Sequence, residues 1–164
     1  MSFWQPTHCN STSPRTALLE GRPDVPEDHN RAFALALAGA GMGCAHSKGV
    51  LGRCYIGGFG VAEDRSKGLE LGRESAAAGS CMGQYVVGKC YQAGWGVAKK
   101  YAEAARLWSL AAAQGHSNAQ YNLGLMFERG QGVAQDRAEA IRLFRLAAAQ
   151  GHADAAAALR QLGA

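Results

Sequence analysis

Apolar residues along most of this chain recur at three- and four-residue spacing, the period of an amphipathic helix. Between about 118 and 129, Ala119, Leu123 and Phe127 step by four and form one stripe. Between 136 and 150, Ala140, Leu143, Phe144 and Ala147 form a second stripe. The sequence G-x-G-V at 130–133 separates them and reads as a loop that uses glycine's backbone freedom. Asp136 stands at the N-cap of the second helix, with Glu139 three residues on, which predicts a capping box. Gly151 follows the last apolar position and predicts a left-handed C-cap. Gly124 lies beside the first stripe, where a glycine costs about 1 kcal/mol against alanine. Its place there predicts close approach of the paired helix.

The same helix–loop–helix pattern returns every 36 residues. Gly43, Gly79, Gly115 and Gly151 share one column, and Leu35, Leu71, Leu107 and Leu143 another. Leu51, Val87, Leu123 and Leu159 keep the step, as do Gly52, Gly88 and Gly124, then Tyr55, Tyr91 and Phe127. One hairpin cannot bury its apolar face alone, whereas stacked hairpins share a continuous core. Three full units are predicted at 44–80, 81–116 and 117–152. A half unit at 25–43 precedes them and a capping half unit at 153–164 follows, so the repeat domain spans 25–164. Residues 1–24 hold three prolines and match no column. They read as an irregular or partly disordered N-terminal arm.

Composition narrows the class. The 164 residues include 32 alanines and 22 glycines but only 12 valines, isoleucines and threonines together, which excludes a β sandwich or barrel. Alanine favours helix, so the expected class is all-α. The net charge of +4 is mild, and no segment is strongly basic, so nucleic acid is not expected as a partner. No run of 18 apolar residues predicts a membrane span. The N-terminus lacks a secretory pattern. Cys9, Cys44, Cys54, Cys81 and Cys90 are an odd number without C-x-x-C, and read as reduced thiols. Together these point to the cytoplasm, or to the periplasm or exterior if a leader has been removed.

The segments AQYNLGLMFERGQGVAQDRAEA (119–140) and GQYVVGKCYQAGWGVAKKYAEA (83–104), with second helices ending A-A-x-x-G and the 36-residue step, resemble the Sel-1-like repeat, a relative of the tetratricopeptide repeat. The resemblance covers about 28–162. It implies a right-handed α/α superhelix, a solenoid that works as a non-catalytic protein-interaction scaffold or adaptor, monomeric or weakly self-associating, without cofactor or metal. Two departures stand out. Lys100 replaces the N-cap Asp of the middle unit. In the first unit Gly68 replaces Ala, and Gly72 stands where Trp108 and Phe144 stand, so that unit is expected to pack most loosely.

In tetratricopeptide geometry the first helices line a concave groove. Carried over by column, the resemblance places His46, Gly49, Arg53, Ile56 and Gly57 there from the first unit. The second contributes Met82, Tyr85, Lys89, Gln92 and Ala93. The third contributes Asn118, Tyr121, Leu125, Glu128 and Arg129, and the last half unit Asp154 and Gln161. Arg53 and Lys89 share a column, as do Tyr85 and Tyr121. Such a wall suits an extended peptide with an acidic group or a free C-terminal carboxylate. The plainer reading of Arg53 and Lys89 is two solvated helix charges. Phe59 and Trp95, between the loop glycines, are either partner anchors or covers over the neighbouring unit.

Other motifs are set aside. G-F-G and G-W-G do not continue as nucleotide loops. His116 and His152 are a full unit apart, so they are read as surface residues rather than metal ligands. Cys54 and Cys90 read as packed thiols. Cysteine-rich relatives linked to β-lactam binding carry a disulfide between the two helices of each unit. The second helices here contain no cysteine, and no S-x-x-K motif occurs, so an enzyme is not expected. Two alternatives stay open: a small-molecule-binding or hydrolytic protein of that cysteine-rich type, and a self-assembling structural repeat.

Overall fold

The computed structural model of the chain describes residues 26–164, and the expected arm at 1–24 lies outside them. Eight helices and no strand occur among the described residues. They are α1 (Pro26–Gly41), α2 (Ala45–Gly57), α3 (Arg65–Ala77), α4 (Cys81–Ala93), α5 (Tyr101–Ala113), α6 (Ser117–Arg129), α7 (Arg137–Ala149) and α8 (Ala153–Leu162). Each packs on the next in chain order, and α2 also packs on α4. First helices (α2, α4, α6, α8) form one row of the solenoid and second helices (α1, α3, α5, α7) the other. None is long and apolar enough to cross a membrane.

The inter-helix loop explains its glycines. Gly58, Gly94 and Gly130 take left-handed φ and close the first helices. The second glycine of each loop is left-handed too, and in two units it abuts the preceding unit's backbone. A Cβ on Gly60 would stand 2.8 Å from the His29 carbonyl carbon, and one on Gly132 2.6 Å from Ala102 N. The loop residue between the glycines then lies over that preceding unit. Phe59 packs on the His29 ring at 4.9 Å, and the Arg65 guanidinium lies 5.0 Å from the Trp95 ring. Both aromatics are half-buried covers.

Gly88 and Gly124 are packing glycines, as their place in the stripe predicted. A Cβ on Gly88 would run into the Trp108 indole, 2.7 Å from its Cδ1, and one on Gly124 would stand 2.6 Å from the Phe144 ring. Trp108 and Phe144 are fully buried, and the indole N–H donates to the Tyr85 carbonyl at 3.2 Å. The first unit corrects the expectation of loose packing. With no aromatic to seat, its two helices interlock through glycine: a Cβ on Gly52 would stand 2.8 Å from Gly68 O and 3.1 Å from Gly72 N. Approach of the backbones takes up the missing volume.

Caps divide by column. Asp64 accepts from Lys67 N, and Asp136 from Glu139 N, both at 3.0 Å. Lys100 has the same extended backbone and offers no side-chain acceptor. The expected capping box at Asp136 stays half-made: the Asp136 N–H donates to the Phe127 carbonyl at 3.0 Å, and Glu139 pairs with Arg142 at 2.6 Å. The expectation of five reduced thiols also needs correction: Cys81 is held in a disulfide, while Cys54 and Cys90 are free. Burial pushes the Cys54 and Cys90 thiols up to about 11, so at neutral pH both are protonated and poor nucleophiles.

Candidate functional site: the row of first helices

The columns assigned to the groove lie along the row of first helices, and they do not share one fate. His46, Arg53, Lys89, Gln92, Asn118, Tyr121, Leu125 and Glu128 are half-buried, and Arg129 is exposed. Met82 (0% exposed), Tyr85 (6%) and Ile56 (9%) are core residues, a correction to their placement on the groove wall. Gly49 is also internal: a Cβ there would stand 2.8 Å from Gly83 N, where α2 and α4 meet.

Tyr85 is covered by the histidine that ends its own unit and caps the first helix of the next. The His116 ring stacks on it at 4.6 Å with 21° between planes, and His152 stacks on Tyr121 at 4.6 Å and 29°. Both histidines are N-caps rather than surface residues, again a correction. Their Nδ1 atoms accept from Ala119 N and Ala155 N at 3.3 Å, closing α6 and α8. With Nδ1 accepting, the neutral ring carries its proton on Nε2. His152 Nε2 lies 3.0 Å from Asn118 Oδ1 and so donates to it. In the unit before, the column of Asn118 holds Met82, and the buried His116 Nε2 has no hydrogen-bond partner. Burial, with Arg53 and His46 adding repulsion, lowers His116 to about 3. The sequence held a signal for these caps: each histidine directly precedes a first helix and shares the 36-residue step with its stacked tyrosine.

Arg53 and Lys89 repeat one arrangement. The Arg53 guanidinium lies 5.9 Å from the Phe59 ring centre, and the Lys89 ammonium 6.0 Å from that of Trp95. The loop aromatics thus hold the wall cations of their own units while covering the unit before. At the other end of the row, an open pocket of about 550 Å³ lies between α6 and α8. Tyr121, Leu125, Glu128 and Arg129 line one side, and Asp154, Ala157, Ala158 and Gln161 the other. Ala157 and Ala158 were not nominated from sequence, since a small apolar side chain carries no chemical signature. Burial raises the Tyr121 hydroxyl, Asp154 and Glu128 reinforce the shift, and Arg129 opposes it.

The Sel1 repeat family model matches residues 15–44, 50–80, 81–116 and 117–152. The first match reaches into the segment set apart as an arm. No curated protein matches significantly. Among solved structures, a protective antigen present in uropathogenic Escherichia coli strains, displaying an SLR fold, is 36% identical, with a TM-score of 0.62 over 73% of this chain and 26% of the other. A Sel1 repeat protein from Oxalobacter formigenes is 30% identical, with a TM-score of 0.65 over 82% of this chain and 39% of the other. The chain therefore spans well under half the length of both. Helicobacter pylori cysteine rich protein B shares the fold at 19% identity and a TM-score of 0.58, covering 91% of this chain and 99% of that one.

Proposed function

Because the chain belongs to the Sel1 repeat family, whose members are generally protein-interaction scaffolds, we propose that it is a non-catalytic scaffold or adaptor that binds an extended partner segment along its first-helix row. The observation that carries this reading is the line of half-buried, chemically varied side chains from His46 and Arg53 to the open pocket at Tyr121. Such a line offers hydrogen bonds, charge and aromatic surface to a peptide backbone and its side chains at regular intervals. Held over Phe59 and Trp95, the Arg53 and Lys89 cations are pre-positioned, which lowers the entropy lost on pairing with an acidic side chain or a terminal carboxylate.

Affinity capture from source lysate tests the reading. Wild type is compared with Arg53→Glu/Lys89→Glu and with a second-helix control, Arg106→Glu/Arg145→Glu, all at equal helicity. Loss of the captured partner in the first variant alone is expected. Retention there, or equal loss in both variants, would place binding elsewhere or make it a matter of net charge.

A further inference from the structure

The two ends of the first-helix row differ in charge. Arg53 and Lys89 make the N-terminal part basic. The pocket between α6 and α8 carries two carboxylates, Glu128 and Asp154, against the one guanidinium of Arg129, a net of −1. Among the described residues neither carboxylate forms an ion pair: the four salt bridges are Lys48–Glu74, Arg65–Glu63, Arg106–Glu103 and Arg142–Glu139. Arg129 is exposed, stands in the last turn of α6, and so faces carbonyls that favour its charge. It lines the same pocket and offsets one of the two carboxylates, leaving the other in excess. The apolar part of the lining is Leu125 with the Tyr121 ring on α6 and Ala157 and Ala158 on α8, a surface for an aliphatic stem.

We infer that this pocket is a cation subsite that takes a lysine or arginine side chain of the docked partner, its stem on Leu125 and Tyr121 and its charge between Glu128 and Asp154. The inference rests on the proposed binding of a partner segment and adds to it the segment's chemistry and direction. An aromatic ring and two carboxylates around a half-enclosed space favour a cation over an anion or an apolar group. The cavity is also large enough for a long side chain and open enough to admit it from a chain lying across it. Together with the Arg53–Lys89 wall, the subsite sets polarity: the partner's acidic group faces α2 and α4, and its basic side chain faces α6 and α8.

A displayed library of random dodecapeptides, selected on the full chain, tests this. Selected peptides are made with capped ends and mapped on the protein by isotope-edited NMR. Peptides that shift Tyr121, Leu125 and Ala157 are expected to carry a Lys or Arg at a fixed position. Replacing it with norleucine should weaken binding about tenfold or more on wild type and less than threefold on Glu128→Gln/Asp154→Asn. That coupling separates a paired charge from general attraction. Peptides that bind along the row without a Lys or Arg preference, or with one that the double variant keeps, would overturn the subsite and leave the scaffold reading standing. A library yielding no peptide that maps to the first-helix row would remove both.

Discussion

His116 should make the protein less stable as pH falls through the mildly acidic range. Its ring is 3% exposed, stacked on Tyr85, with Nδ1 tied to Ala119 N and Nε2 unpartnered. Its pKa falls from 6.5 to about 3 on folding. For a base with a depressed folded pKa, the unfolded chain takes the proton first. Stability is therefore full above 6.5 and declines as pH drops toward 3. At pH 5 the unfolded ring is almost wholly protonated and the folded ring is neutral, so linkage removes about 2 kcal/mol relative to pH 7.5. His46 and His152 are also lowered, mainly by burial, and act in the same direction. Their part remains in a His116→Asn variant, whose amide oxygen can still cap α6. Urea unfolding followed by circular dichroism at pH 7.5, 6.5, 5.8 and 5 gives the comparison. Wild type should lose about 2 kcal/mol or more over that range, and the variant distinctly less. Equal losses, or a wild type insensitive to pH, would refute the buried neutral ring.

Lys100→Asp should restore the missing cap of α5, since Lys100 has φ −143° and ψ 98° against −144° and 101° at Asp136. A gain of about 0.5–2 kcal/mol in urea unfolding is expected, and no gain would contradict the capping argument. Gly88→Ala should cost about 1–3 kcal/mol by driving a Cβ into Trp108, and an unchanged unfolding midpoint would show that the helices separate freely. Native iodoacetamide labelling at pH 7.5 should spare Cys54 and Cys90 until urea is added; rapid native modification of either would contradict their burial.

Repetition made the fold legible. A single column such as Gly88 is ambiguous, but its recurrence at Gly52 and Gly124, beside aromatic columns in phase, requires a stacked unit. The loop glycines and Asp caps followed from the same register. Side-chain fates within a column were less legible, because they depend on the next unit. Tyr85 and Tyr121 occupy equivalent positions, yet Tyr85 is buried and Tyr121 lines a pocket. Against Tyr121 stands α8, which has the small Ala157 in the tyrosine column and leaves the ring facing a pocket. The first unit's tight packing was missed for a related reason. Loss of an aromatic predicts a cavity only if the backbones stay apart, and three glycines let them close.

Site-specific photo-cross-linking tests the central claim, that the first-helix row is the partner-binding surface. A benzophenone amino acid is placed at Lys89 or Leu125 on that row, and at Leu110 or Leu146, which are exposed on the second helices α5 and α7. Each labelled protein is irradiated with the captured partner. The account predicts adducts from positions 89 and 125 and none from 110 and 146. Adducts confined to 110 and 146 would contradict it and move the binding surface to the second helices.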